Sequence, residues 1–167
     1  MATTYTPIAT TTLGSAQASV TFSSISGSYT DLVLITNILG ATGGTTDYTP
    51  NIRFNGDTGT NYSDTILRGN GSTATSGRHS TVTQIQLQGN GYLSNTTPCT
   101  LLINIQNYSN TTTYKTTLSR ASQTDNITNA TVGLWRNTAA ITSLTIFLDA
   151  GTMASGTVFT LYGIKAA

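Results

Sequence analysis

Nine residues, Asp31 to Leu39 (DLVLITNIL), constrain the fold more than any other stretch of the chain. Leu32, Leu34 and Ile38 share one parity, and Val33, Ile35 and Leu39 share the other. A strand built from them is therefore apolar on both faces. Such a strand cannot lie at a solvent-facing edge. It needs cover on each side, in the middle of a sandwich or against a neighbouring subunit. Burying six aliphatic side chains at ~1.5–3 kcal/mol each gives roughly 9–18 kcal/mol gross, an upper bound.

Shorter alternating runs surround it. Tyr5 to Leu13 reads as a first strand, with Pro7 pointing to an edge or extended position. Tyr5 and Ile8 in it suit contact with a neighbour, so residues 2–13 are the expected intersubunit element. Ala18, Val20 and Phe22 alternate with polar residues, and Ile52 and Phe54 flank Arg53. Further strands are expected over Tyr62 to Arg68, Thr81 to Leu87 and Cys99 to Ile105. Tyr114, Thr116 and Leu118 carry the next, and Ala130, Val132 and Leu134 the one after. Leu144, Ile146 and Leu148 point inward from another. The last, Val158 to Ile164, sets Phe159 and Leu161 against Val158, Tyr162 and Ile164. Residues 40–50 and 69–77 read as polar loops, and Asn55-Gly56-Asp57 is a strong turn signal. About ten short strands with polar turns, and no helical period, predict an all-β fold. The architecture expected is a single-domain antiparallel β-sandwich, jelly-roll-like, over residues 16–167, with an N-terminal arm or edge strand over 1–15.

Composition narrows the function classes. Thr, Ser and Asn make up 66 of the 167 residues, Thr alone 37, and charged residues are only 8 %. With a net charge of +1 and dispersed arginines, a phosphate-binding surface is not expected, so nucleic acid is not a predicted partner. No stretch approaches the ~20 apolar residues of a membrane helix, so no membrane partner is predicted either. The N-terminus lacks the basic start and apolar core of a signal peptide, so the chain is expected to begin as a cytosolic product. Cys99 is the single cysteine and reads as a small buried hydrophobe.

The block from Arg53 to Arg78, RFNGDTGTNYSDTILRGNGSTATSGR, resembles a segment of small virion proteins of tailed bacteriophages, the cyanophage type especially. The likeness rests on Arg53, Phe54, Asn55, Gly56, Asp57, Gly59, Asn61, Tyr62, Ser63, Thr65, Leu67, Gly69, Gly71, Ser72, Ser76, Gly77 and Arg78. Residues 18–35, 133–146 and 159–167 are similar too, whereas the 88–98 and 107–113 loops depart. The resemblance implies a non-enzymatic structural protein of the virion. The expected role is capsid decoration (cement), with a major capsid protein or other virion protein as partner and a homotrimeric assembly. The alternative is a tail-fibre or tail-tip receptor-binding domain that recognises a host glycan.

Candidate chemistry is sparse. His79, the sole histidine, falls in an expected loop and would need a paired nucleophile or acid for catalysis. Asn55, Asp57, Asn61 and Asp64 could offer oxygens to calcium, but their spacing fails the EF-hand pattern and the chain contains no Glu. No cofactor is therefore expected. Tyr48, Tyr62, Tyr92, Tyr108 and Trp135 could stack on sugar rings, which with Tyr5 and Ile8 makes Tyr92, Tyr108 and Trp135 the candidate ligand or interface residues. The competing reading places Trp135 over the small Gly133, within the sandwich or at a subunit contact.

Overall fold

A computed structural model describes residues 4–41, 48–89, 93–123 and 127–165. Among these residues twelve strands are formed, all paired antiparallel. Those of the larger sheet are β1 (Tyr5–Thr12), β3 (Asp31–Ile38), β5 (Tyr62–Gly69), β6 (Ala74–Val82), β8 (Cys99–Gln106), β9 (Lys115–Gln123), β10 (Ile127–Trp135) and β12 (Val158–Ile164). Those of the smaller are β2 (Ser19–Phe22), β4 (Pro50–Phe54), β7 (Ile85–Gln86) and β11 (Leu144–Leu148). The first sheet has eight strands in the order β1-β12-β3-β8-β9-β10-β5-β6, and the second four, β2-β11-β4-β7. The fold is all-β and sandwich-like.

The core follows from period-two burial. Leu32, Leu34 and Ile38 of β3 point inward with Leu101, Ile103 and Ile105 of β8 and with Phe159 and Leu161 of β12. Val20 and Phe22 of β2, Ile52 and Phe54 of β4, and Leu144 and Ile146 of β11 belong to the same core. Burying aliphatics from both layers in one cluster is the main stabilising term in a fold of this kind.

Several expectations need correction. β3 is an interior strand, but its second face is covered only in part: Val33 is buried while Ile35 is 38% exposed. In β9 and β10 the aliphatic parity is reversed. Lys115, Thr117, Ser119 and Ala121 point inward from β9, and Thr131, Gly133 and Trp135 from β10, leaving Leu118 and Val132 outside. The reason is size matching between layers. A Cβ at Gly133 would lie 2.5 Å from Thr117 Oγ1 and 2.6 Å from Ile85 Cγ2, because Ile85 reaches across from β7. Ile85 already fills the space beside Gly133 and Thr117, so the middle inward positions of β9 and β10 take small residues, while Lys115 and Trp135 fit at the strand ends. Finally, much of the expected 69–77 loop is strand: Ala74 to Gly77 open β6, which pairs with β5 up to a bulge at Thr81 (φ 53°).

Candidate functional site

The block that carries the family likeness folds into a pinned corner. Phe54 to Asp57 is a tight turn with positive φ at Asn55 (51°) and Gly56 (66°), closed by Asp57 N–H to Phe54 O at 2.9 Å. Two successive left-handed residues are what Asn-Gly supplies with least strain. The Asn55 side chain then ties down a distant segment. Its Oδ1 accepts from Thr142 N (2.8 Å) and Ser143 N (3.1 Å), and its Nδ2 donates to Ala140 O (2.8 Å). Asn55→Ala should destabilise the protein by about 2–3 kcal/mol in urea denaturation, since several bonds are lost together. An unchanged midpoint would reduce Asn55 to a turn former.

Asp57 is the hub of the corner. Its carboxylate accepts from Trp135 Nε1 (2.7 Å), Asn61 Nδ2 (2.9 Å) and Gly59 N (2.8 Å). Partial desolvation works to raise its pKa, but these hydrogen bonds outweigh it and hold the carboxyl below its ordinary 3.8. The Trp135 ring packs against both Phe54 (centroids 5.6 Å) and Tyr62 (6.2 Å, interplanar 16°), which also contact each other at 6.5 Å. The Tyr62 hydroxyl accepts from Phe54 N at 3.1 Å and donates toward Phe54 O and Asp57 O. Arg136 completes the cluster by donating to Ser63 Oγ and Tyr62 O, each at 3.0 Å. The chemistry here is structural: polar groups satisfied around a buried aromatic stack.

His79 is in strand β6 and not in a loop, and it does find an acid. Its Nδ1 is 2.7 Å from Asp64 Oδ1, while Asp64 Oδ2 accepts from Gln86 N at 3.1 Å. The carboxylate is buried and the imidazole half exposed, between clefts of about 160 and 190 Å³. The pair ties edge strand β6 to β5 and β7. Of the four candidate calcium ligands, only Asp57 and Asn61 meet; Asn55 and Asp64 are engaged elsewhere. Among the described residues no three His, Cys, Asp or Glu side chains are grouped to hold a metal.

The aromatic candidates divide. Trp135 is 1% exposed and shares the inward face of β10 with Gly133, so its ring offers no surface to a ligand. Tyr108 is also buried, with its hydroxyl donating to Ser26 O and accepting from Tyr29 N. Tyr92 lies outside the described residues. Tyr5 is exposed on edge strand β1, edge-to-face with Tyr162 at 6.1 Å. Ile8, at the bulge between Pro7 and Ala9, is half-buried and packs on the core. Residues 5–12 therefore form the edge strand of the sheet rather than a projecting arm.

What residue-by-residue reading missed is the outer face of the eight-stranded sheet. The cross-strand register places Leu67, Ala130, Val132, Leu118, Leu102, Ile35, Val33, Tyr162 and Tyr5 on one side of it. They form an oblique apolar band from β5 to β1. Leu67 (60%), Val132 (56%) and Leu118 (44%) are its most exposed aliphatics. A shallow groove of about 620 Å³ crosses the β5 end of this face, lined by Leu67, Ala74, Leu102, Arg120 and Ala130 among others. Arg120 rises from the middle of the apolar band and makes no hydrogen bond or ion pair among the described residues. The face carries one acid among those residues, Asp31 at its far corner, which accepts from Asn107 N at 2.6 Å. The signal available in sequence was the outward remainder in β9 and β10, misassigned above. No family model matches this chain, and no curated protein is similar enough to it to count as a relative.

Proposed function

We propose that the chain is a non-enzymatic structural protein of a bacteriophage particle, a capsid decoration protein. It docks through the outer face of its eight-stranded sheet onto another virion protein that presents a carboxylate among aliphatic side chains. The observation that carries this reading is the exposed band of Leu67, Val132, Leu118 and Ile35 around the unpaired Arg120. Contiguous exposed apolar surface on a sheet face marks an interaction site. The charge pattern selects the partner. Among the described residues, two copies packed face to face would oppose Arg120 and Arg78 with no free acid to answer them, whereas an acid-bearing partner would pair them. The resemblance of residues 53–78 to phage virion proteins supports the same reading. Each contact is weak, and repetition by particle symmetry supplies the avidity.

The glycan-binding alternative draws less support, because the Trp135 and Tyr108 rings are buried. The test is a Leu118→Lys/Val132→Lys double variant assembled into particles. Both positions face outward, so the circular dichroism spectrum and the melting temperature should stay near the parent's, while occupancy on the particle should fall at least tenfold. Undiminished occupancy would remove this face from the assembly.

A further inference from the structure

The two edges of the eight-stranded sheet are built differently. β1 carries Pro7 and a bulge at Ile8, two devices that block pairing with another strand. β6 has neither along Ala74 to Ser80, where seven consecutive residues pair in regular register with β5. All seven are exposed, and among the described residues the strand's other side has no neighbour in the sheet. The regular stretch ends at the Thr81 bulge, so its midpoint is Gly77.

We infer that β6 pairs antiparallel with β6 of a second copy of this chain, about a twofold axis through Gly77. An isologous contact requires one strand to complement itself, and this register does. Centred on Gly77, Ser76 faces Arg78 of the second copy, Thr75 faces His79, and Ala74 faces Ser80, so no like charges are opposed. Centring on Arg78 would set two guanidiniums side by side, and cross-strand like charges are destabilising. Gly77 brings no side chain to the centre of the pairing, so nothing there crowds the same residue of the second copy. His79, held to Asp64, ties the strand to β5 on the inner face of the sheet. A twofold axis normal to the sheet sets the two outer faces side by side, so the face proposed above to dock is doubled. The inference itself stands without that function.

The test is the mass of the purified full chain by sedimentation equilibrium over a wide concentration range. A monomer–dimer equilibrium is expected, reaching twice the 17.5 kDa chain mass. Ser76→Glu sets a carboxylate opposite Arg78 twice per dimer and should tighten dimerisation by about 2- to 30-fold; Ser76→Arg should weaken it by a similar factor. The charge swap Ser76→Arg with Arg78→Glu should restore it. Position 76 faces outward opposite Leu67, so the dichroism spectrum of the dilute variants should match the parent's. A monomer at every concentration, a trimeric mass, or a dimer indifferent to position 76 would each overturn the pairing. If dimerisation were instead lost in the Leu118→Lys/Val132→Lys variant, the interface would be the sheet face.

Discussion

Replacing Trp135 by alanine is expected to destabilise the fold by about 3–5 kcal/mol, the range for removing a large buried aromatic. The ring packs against both Phe54 and Tyr62 in a three-ring cluster, and its Nε1 is one of three donors to Asp57. Trp135→Phe separates the two contributions. Most of the packing is kept and one charge-assisted hydrogen bond is lost, so the expected loss is about 1.5–3 kcal/mol. Chemical denaturation followed by circular dichroism is the suitable measurement, because Trp135 is the single tryptophan and its fluorescence disappears with the substitution. Acid should separate the variants further. Asp57 has its folded pKa depressed, so it contributes stability above its ordinary 3.8 that is lost as pH falls through the folded value. Trp135→Phe should flatten part of that loss. A sugar-stacking Trp135 would behave oppositely, with stability near the parent's and ligand affinity abolished.

The second large effect is alkaline. Desolvation pushes the Cys99 thiol up from 9.0 to about 12, against an opposing backbone hydrogen bond at Ser122. The thiol also donates to Gln88 Oε1 at 3.1 Å. Above pH 9 the unfolded chain releases this proton while the folded one keeps it, so the unfolded state binds fewer protons and stability falls as pH rises. Between pH 9 and 12 the loss from Cys99 alone is on the order of 4 kcal/mol. Tyr62, raised to about 12 chiefly by burial, and Tyr108, raised for the same reason, add losses above pH 10. Lys115 acts in the opposite sense. Its ammonium is buried against Thr113 O and Thr138 O, and desolvation lowers its pKa, so its penalty is relieved as pH climbs toward 10.5. Urea midpoints measured from pH 8 to 11 should fall more steeply for the parent than for Cys99→Ala. Parallel curves would show that the thiol is not protected in the folded state.

The proton-holding role of Cys99 could be anticipated from its place in CTLLINI, at the same parity as Leu101 and Ile103. The inward place of Trp135 was half legible, since sharing parity with Gly133 pointed that way. The acceptor at Asp57, far away in the chain, was not legible. His79 illustrates the same limit: a lone histidine in a polar run gives no sign of its acid. Only the β5–β6 pairing brings Asp64 opposite it.

Class and spacing were determined locally. Alternating aliphatic and hydroxyl residues force strands, Asn55-Gly56 forces a turn with two left-handed residues, and DLVLITNIL must be interior to a sheet. These depend only on backbone geometry and on each residue's preference for or against water. Which side of β9 and β10 faces the core was decided in three dimensions. There the inward positions take Thr117, Ser119 and Gly133 because Ile85 arrives from the opposite layer and occupies the volume, and the aliphatics Leu118 and Val132 are turned to the surface. A strand's own pattern reports how apolar each side is, but packing density is a property of two layers together. The outer face, and with it the candidate site, exists because of that second condition.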